Sequence, residues 1–353
     1  MAGTNQLQGI QALRGLAALA VVTHHALEHS NGAARPFSPD WLTTVGAAGV
    51  DLFFVISGFI MVWTTFPEGR APLRPATFLY RRVVRIYPLY WLTCTAMLAL
   101  VAMGFLRAHN FTGSEIARSF ALFPPATLVG VAWTLVFEMW FYILFTLLLA
   151  SGSRRVVVIG VPGLLLCAAA LATFLPAGPV RDFLQSPLPI EFCYGIGLAI
   201  VGRRVIERPL PRVLALALGA LALIAMCLAA VLVPHATTAE LPAAARVLAW
   251  GLPALVLVGL SLPLRARGRA GAALARLGDT SYALYLSHVF VMIGYGRLLK
   301  IPAVAALPQP PLVLAICVGS VAGGFAFHIA CERPLTRLFR SFETRRPANP
   351  SVA

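Results

Sequence analysis

The 353-residue chain is strongly apolar: hydrophobic residues make up 59% of it and charged residues only 12%, with a mean hydropathy of +0.82. Because a soluble domain carries about twice that charged fraction, the composition excludes a soluble enzyme and predicts a polytopic membrane protein. The net charge of +15 does not indicate nucleic-acid binding, since the arginines stand in short clusters between apolar stretches. The six cysteines lie in or beside apolar segments without CxxC spacing, so neither disulfides nor a metal site is expected.

Ten stretches satisfy the requirement of about 20 mostly apolar residues for a membrane span. These stretches are 8–29, 45–66, 86–106, 127–150, 155–175, 187–202, 213–233, 246–263, 280–298 and 311–331. With a cytoplasmic N-terminus, 20 of the 28 Lys and Arg residues fall on the inner side, 7 on the outer side and Arg14 inside a span. The positive-inside rule therefore predicts that both termini are cytoplasmic. We expect an all-α transmembrane domain over 1–335 and a disordered, basic cytoplasmic tail over 336–353.

The first predicted span contains an arginine and a histidine that should face one cavity. Arg14 and His25 are 11 residues apart, which returns to within about 20° of the same helix face with a rise of roughly 16 Å. Glu28 lies one turn beyond His25 and can orient its imidazole. Ionisable groups inside spans are usually functional. The alternative is that Arg14 extends to lipid headgroups and His25 makes a hydrogen bond between helices.

The arginines of the stretch YRRVVRIYPLYW (80–91) are spaced to meet at the start of the third span. Arg82 and Arg85 are three residues apart, and Arg81 and Arg85 are four apart. Neighbouring guanidinium groups on one helix face suit phosphates, which accept bidentate hydrogen bonds. Ordinary positive-inside anchoring explains two of these arginines equally well.

The stretch WTLVFEMWFY (133–142) carries a polar column inside a span. Thr134, Glu138 and Tyr142 follow one another at helical spacing, and a carboxylate at this depth requires a partner such as an arginine or histidine. Glu138 is thus a candidate catalytic residue, with a purely structural buried pair as the alternative. Trp133, which opens the stretch, is assigned to substrate binding.

Two further stretches supply candidate substrate-binding residues. GVDLFFVISGF (49–59) places Asp51 and Ser57 in the second span, where Gly49 and Gly58 can allow close helix packing. In GDTSYALYLSH (278–288), Ser281, Tyr285 and His288 share one helix face. These polar side chains can steer a hydroxylated substrate or simply hold helices together.

At these residues the chain resembles the acyltransferase-3 family of integral membrane enzymes, which includes bacterial O-acetyltransferases of O-antigen, exopolysaccharide and nodulation factors. The likeness runs from about Leu7 to Leu335. It rests on six ordered blocks, which are IQALRGLAALAVVTHH, GVDLFFVISGF, RRVVRIYPLYW, WTLVFEMWFY, GDTSYALYLSH and ERPLTR.

The resemblance implies about ten helices in a bacterial inner membrane and an acyl donor, usually acetyl-CoA, used from the cytoplasm. It also implies that His25 is essential and that Arg14, Arg82 and Arg85 bind the donor, with Arg81 a weaker candidate. Many members have an acidic residue three positions before the first-block arginine, where this chain has Gln11. Arg14 must then find another partner.

The predicted reaction is transfer of an acyl group, acetyl by default, from CoA to a hydroxyl of a cell-envelope or exported carbohydrate. His25 acts either as general base or as covalent acyl carrier, and Glu28 or Glu138 holds its imidazole. The expected partners are acyl-CoA, a carbohydrate or glycolipid acceptor and membrane lipids, with no permanently bound cofactor. A transporter that uses the same buried charges for solute or proton coupling is the alternative.

Overall fold

The computed structural model describes residues 7–32, 38–106, 110–233 and 241–344. These residues form helices without any β-strand, as the apolar composition predicts for a membrane bundle. The helices are α1 (Gln8–Gly32), α2 (Asp40–Val45), α3 (Gly49–Thr65), α4 (Pro75–Ala102), α5 (Gly113–Ala121), α6 (Trp133–Leu149), α7 (Arg154–Ala172), α8 (Pro179–Gln185), α9 (Ile190–Glu207), α10 (Arg212–Leu232), α11 (Ala243–Arg246), α12 (Leu252–Ser261), α13 (Gly268–Asp279), α14 (Ser281–Leu298), α15 (Pro302–Ala305), α16 (Gln309–Phe327) and α17 (Arg333–Thr344).

Nine stretches of the described residues are long and apolar enough to cross a membrane. They are α1, α2 with α3, α4, α6 with the turn before it, α7, α8 with α9, α10, α11 with α12, and α16 with α17. The ninth predicted span, 280–298, does form a helix, α14, but it is not among these nine. Its tyrosines, His288 and Arg297 lower its mean hydropathy, and it packs against α1 and α16 inside the bundle. The all-α polytopic bundle is thus confirmed.

Two predicted boundaries are wrong. The third span was expected to begin at residue 86, but α4 begins at Pro75, so the arginine cluster lies within the helix and not in a loop before it. The tail was expected to be disordered from residue 336, but α17 extends to Thr344. Its Arg333, Arg337 and Arg340 share one face and are exposed, and an amphipathic pattern of this kind favours a helix. Residues 345–353 of the predicted tail lie outside the described residues.

Two short π-helical segments interrupt the regular helices beside charged residues. Val247–Gly251 follows Arg246 between α11 and α12, and His328–Glu332 joins α16 to α17. A π-helical turn shifts the side chains that follow it around the helix axis, and such turns are frequent at functional sites. Here they accompany Arg246, which forms a buried ion pair with Asp51, and Glu332, whose buried carboxylate pairs with the partly accessible Arg85.

Glycines allow the helices around α3 to pack at backbone distance. A Cβ added at Gly195 of α9 would lie 2.0 Å from the carbonyl oxygen of Val55, and one at Gly58 would lie 2.0 Å from that of Phe192. A Cβ at Gly49 would meet the carbonyl oxygen of Ala17 at 2.4 Å. The expected close packing at Gly49 and Gly58 is therefore confirmed, and it fixes α3 between α1 and α9.

Replacing Gly195 with alanine should separate α3 from α9 and destabilise the protein, by about 1–3 kcal/mol as is usual for overpacking. Gly197 on the same helix offers a matched control, because no atom lies within 4 Å of an added Cβ there. Gly197→Ala should be neutral or slightly stabilising. Thermal unfolding in detergent compares the two variants, and equal midpoints would contradict the proposed backbone contact.

Candidate active site

The first candidate cavity, which we call the arginine chamber, lies among α1, α3, α4, α6 and α14 and has a volume of about 840 Å³. Apolar side chains from α3 form much of its wall. Its polar lining residues are Arg14, Ser57, Arg82, Arg85, Thr134, Glu138, Tyr142, Ser281, Tyr282 and Tyr285. Residues from five sequence blocks therefore meet at one site, although the blocks are far apart in the chain.

Arg14 is held by two neutral side chains. Its Nη1 donates to Gln11 Oε1 at 3.1 Å, and its Nη2 donates to Ser281 Oγ at 3.0 Å. Gln11 in turn donates to Asp279 at 2.9 Å. Gln11 stands where many family members have an acidic residue, and it still orients Arg14. The carboxylate of Asp279 is connected to Arg14 through Gln11.

Arg82 and Arg85 project from the same helix into the chamber and are held against aromatic rings. The Arg82 guanidinium lies 5.5 Å from the centre of the Phe78 ring and 5.9 Å from that of Tyr142, and its buried Nε has no hydrogen-bond partner in the described structure. Arg85 lies 5.9 Å from the centre of the Tyr282 ring. Arg81, the weakest predicted donor-binding residue, is exposed and lies outside the chamber lining.

An acidic residue from the end of the chain stabilises Arg85. Oε1 of the buried Glu332 lies 3.9 Å from Nη1 of Arg85, and its Oε2 lies 2.7 Å from Nδ1 of His328. Glu332 opens the block ERPLTR, but it is not among the site residues predicted from the sequence. Glu332 lies in the π-helical segment, and its carboxylate faces Arg85 of α4. The last sequence block therefore provides a partner for an arginine of the chamber.

Glu138 belongs to the arginine chamber and accepts hydrogen bonds from two hydroxyl groups. Ser57 donates to Glu138 at 3.3 Å, and the Tyr142 hydroxyl donates to the same oxygen. The carboxylate also interacts electrostatically with Arg14 and Arg82. The expected column of Thr134, Glu138 and Tyr142 lines the arginine chamber, and Thr134 also pairs with Tyr285. Of the two carboxylates expected to hold the imidazole of His25, Glu28 contacts it, whereas Glu138 lies in the arginine chamber.

A second cavity, which we call the histidine chamber, has a volume of about 980 Å³. Its polar and aromatic lining residues are His24, His25, Glu28, His29, Trp133, Arg246, Tyr285 and His288. Nδ1 of His25 lies 3.2 Å from Glu28 Oε2, and both side chains are partly accessible, at 26% and 34%. The pairing of His25 with Glu28 that the sequence predicted is thus confirmed.

His288 packs against His25 and is completely buried. The two rings are stacked with centres 5.3 Å apart and an angle of 22°. Nδ1 of His288 lies 3.2 Å from the carbonyl oxygen of Leu284, so it must carry the proton, and Nε2 has no hydrogen-bond partner in the described structure. A buried acceptor without a donor is unfavourable by about 1–3 kcal/mol. Nε2 can therefore accept a hydrogen bond from a hydroxyl group of a ligand.

The two chambers are neighbours that share Val50 and Tyr285 in their linings. The Tyr285 hydroxyl is 2.7 Å from Thr134 Oγ1 and donates to the carbonyl oxygen of Val131 at 2.8 Å. The expectation of one cavity containing both Arg14 and His25 therefore needs correction. Each residue lines its own chamber, and the expected column of Ser281, Tyr285 and His288 passes from one chamber to the other.

Asp51 has a structural setting rather than the expected place in a substrate site. It is completely buried and accepts three hydrogen bonds of 2.9–3.1 Å from Arg246, and it lines neither chamber. Arg246 lies inside the bundle between the rings of Trp133 and Trp250. Trp133, which the sequence assigns to substrate binding, lines the histidine chamber.

Nitrogen and carboxylate atoms of His24, His25 and Glu28 lie within 4.8 Å of one another, close enough to be considered as a metal site. Each already has another role, however. Glu28 contacts His25, and Nδ1 of His24 lies 2.7 Å from the carbonyl oxygen of Thr43. We therefore interpret the group as a hydrogen-bonded support for the imidazole of His25.

A histidine paired with a carboxylate lies next to a chamber of arginines inside a membrane bundle, an arrangement that suits a membrane enzyme for group transfer. The chain belongs to the acyltransferase-3 family, because the sequence profile of that acyltransferase domain matches residues 7–329. It is therefore an integral, multi-pass membrane acyltransferase, as the sequence blocks predicted. The family assignment favours the enzyme over the transporter alternative.

Curated relatives extend over most of the chain. The exopolysaccharide production protein ExoZ of Rhizobium meliloti is 32% identical over 84% of this chain and 92% of its own length. The acyltransferase MdmB of Streptomyces mycarofaciens is 29% identical over 94% and 92%. The putative peptidoglycan O-acetyltransferase YrhL of Bacillus subtilis is 27% identical over 96% of this chain and 56% of its own length. No solved structure matches the chain.

The buried pair of Asp51 and Arg246 gives a prediction about stability. Arg246→Leu should lower the unfolding temperature strongly, because it leaves a buried carboxylate unpaired, which typically destabilises by about 3–5 kcal/mol. The double variant Asp51→Leu with Arg246→Leu should recover much of this loss. Thermal unfolding of the three proteins in detergent tests the pair, and a double variant as unstable as the sum of both single variants would contradict it.

Proposed function

We propose that this protein transfers an acyl group, acetyl by default, from acyl-CoA to a hydroxyl of a cell-envelope or exported carbohydrate. The observation that carries the proposal is the contact between His25 and Glu28 in a chamber that adjoins the arginine chamber at Tyr285. ExoZ, an exopolysaccharide production protein, and YrhL, a putative peptidoglycan O-acetyltransferase, support a polysaccharide acceptor. The arginine chamber supports a phosphorylated donor such as acyl-CoA.

Arg82 and Arg85 are the proposed binding groups for the phosphates of CoA. Guanidinium groups bind phosphate through paired, charge-assisted hydrogen bonds, and the buried Nε of Arg82 offers a donor for one of them. Arg14 lies deeper in the same chamber and faces the extended pantetheine arm, which leads toward Tyr285. The arginine distribution supports donor entry from the cytoplasm of a bacterial inner membrane, with both chain termini on that side.

His25 is the proposed general base. When Nδ1 donates its proton to Glu28, Nε2 keeps a lone pair that can accept the proton of the acceptor hydroxyl. The hydroxyl oxygen then attacks the thioester carbonyl carbon, a C–O bond forms, the C–S bond breaks, and the CoA thiolate leaves with the electron pair. The thiolate takes up the proton released by His25, which restores the neutral imidazole. Nε2 of His288 accepts a second hydroxyl of the sugar and orients it.

The same geometry also permits the covalent route, in which Nε2 of His25 attacks the thioester itself and carries the acyl group to the acceptor. The two routes differ in one measurement. A covalent route releases one equivalent of CoA thiol per enzyme without any acceptor, whereas general-base catalysis releases CoA thiol only when an acceptor is present.

His25→Ala should reduce acyl transfer by at least about 10²-fold, as expected for loss of a general base, while the protein still folds and inserts. Glu28→Gln should reduce the rate less, since the imidazole remains but its orientation is lost. Radiolabel from acetyl-CoA incorporated into glycan by purified protein measures both effects. His29→Asn, at the exposed rim of the chamber, serves as the control. Full transfer by His25→Ala would rule out the catalytic role.

Arg82→Gln and Arg85→Gln should weaken acyl-CoA binding by about 10-fold or more each, the usual effect of losing a hydrogen bond between charged groups. Arg81→Gln should have a smaller effect because Arg81 is exposed outside the chamber. Isothermal titration of CoA in detergent measures the three affinities. If Arg81→Gln weakened binding as much as the other two changes, general surface charge and not the chamber would bind the donor.

A further inference from the structure

Tyr285 forms the border between the arginine chamber and the histidine chamber. On one side its hydroxyl is 2.7 Å from Oγ1 of Thr134, and its ring meets that of Phe53 edge to face, with the centres 6.4 Å apart. Thr134 and Phe53 line the arginine chamber. On the other side the hydroxyl donates to the carbonyl oxygen of Val131 at 2.8 Å, and the ring centre lies 6.0 Å from that of His288. Val131 and His288 line the histidine chamber. Contacts on both sides thus fix Tyr285 between the chambers.

Val50 completes this border from α3. Among the described residues it is the one side chain besides Tyr285 that belongs to the linings of both chambers. It stands one helical turn before Phe53, so the two side chains lie on the same face of α3. We call Val50, Phe53 and Tyr285 the partition. None of the three carries a charge, although arginines lie on one side of them and histidines on the other. The partition therefore presents aliphatic and aromatic groups to a ligand that reaches it.

In the proposed reaction, the donor and the acceptor meet at the partition. The donor binds Arg82 and Arg85 through its phosphates, and its pantetheine arm extends toward Tyr285. From the other side, the ring of His25 is stacked on that of His288 at 5.3 Å, and His288 contacts Tyr285. A thioester carbonyl that reacts with a hydroxyl held at His25 must therefore lie beside Tyr285. Its acyl chain has to fit there, because the pantetheine arm fills one chamber and the acceptor sugar fills the other.

We propose that the partition restricts the acyl group to a short, uncharged chain, acetyl or propionyl, and that Val50 sets this length. The inference rests on the proposed function, since it names the acyl group of that reaction and the side chain that selects it. Val50 is buried, and Gly49 beside it packs against the carbonyl oxygen of Ala17 at backbone distance. Val50 therefore has little freedom to move aside for a longer chain. In an apolar pocket, one additional methylene changes specificity by about 10–200-fold.

The test compares kcat/KM for acetyl-CoA, propionyl-CoA, butyryl-CoA and hexanoyl-CoA with the full-length protein in detergent. The acceptor is total cell-envelope polysaccharide from which alkali has removed the ester groups, and release of CoA thiol is followed. The native protein should use acetyl-CoA at least about tenfold better than butyryl-CoA, because butyryl does not fit beside Val50. Equal use of hexanoyl-CoA and acetyl-CoA would overturn the proposal.

Substitutions of Val50 should change the length limit in both directions. Val50→Ala enlarges the partition and should lower the ratio of acetyl to butyryl transfer about tenfold. Val50→Phe fills the partition and should reduce use of acetyl-CoA, while the affinity for free CoA, which has no acyl group, stays unchanged. Val62→Ala removes the same atoms from a buried position of α3 that lines neither chamber, so this matched control should keep the native ratio. An unchanged ratio in Val50→Ala would contradict the role of Val50.

Tyr285→Phe tests whether the hydroxyl positions the ring. The variant keeps the ring but loses the hydrogen bonds to Thr134 and Val131, so the ring is no longer fixed. The ratio of acetyl to butyryl transfer should then fall by about threefold, within the range expected for one neutral hydrogen bond. The ratio does not depend on the fraction of folded protein. A variant that is less stable and keeps the native ratio would show that the hydroxyl has only a structural role.

Binding measurements separate this proposal from the proposed function. Isothermal titration of the His25→Ala protein with the same four acyl-CoAs measures the length preference without any transfer. If the native protein transfers no acyl group, but His25→Ala prefers acetyl-CoA to butyryl-CoA and the added Val50→Ala change removes this preference, the partition is supported and the proposed reaction is not. Transfer of all four acyl groups at similar rates would support the proposed function and overturn the partition.

Discussion

Charged groups inside a lipid-surrounded bundle need partners, and this requirement organises the whole molecule. A buried charge is tolerated only when it is paired and hydrogen-bonded. Arg246 therefore binds Asp51 with three hydrogen bonds, Arg85 lies against Glu332, and Arg14 is held by Gln11 and Ser281. The pair of Asp51 and Arg246 is buried in the core, although Arg246 also borders the histidine chamber. Arg14 and Arg85 line the arginine chamber.

The proposed reaction assigns a different task to each chamber. In it, the positive charge of the arginine chamber serves a phosphorylated donor, and the imidazoles and aromatic ring of the histidine chamber serve a hydroxylated acceptor. Tyr285 stands between them, fixed by hydrogen bonds to Thr134 and Val131. Helix α14 contributes to both chambers, and its Ser281, Tyr282, Tyr285 and His288 line them.

Close packing and local irregularities set these positions. Glycines at the contact of α3 and α9 bring the two backbones together, which leaves Ser57 facing Glu138 and Asp51 facing Arg246. The two π-helical segments lie where Arg246 and Glu332 turn toward their partners.

The sequence by itself determined what depends on local periodicity and composition. Apolar stretches of about 20 residues are sufficient to define helices in a membrane, and the i to i+3 spacing is sufficient to pair His25 with Glu28. The spacing of the arginines on α4 likewise predicted that Arg82 and Arg85 share a face. Polar residues at intervals of three or four predicted which face of α14 lines the site. They did not predict that this face is shared between two chambers.

Only the tertiary structure decided which distant residues meet. Asp51 and Arg246 are 195 positions apart and Arg14 and Ser281 are 267 apart, and no local pattern links such pairs. The local sequence around Asp51 would be the same whether its side chain faced a substrate or an arginine. The division into two chambers at Tyr285 arises from how the helices cross. Helix crossing is set by the packing of all the spans together, and for that physical reason it cannot be read from any one of them.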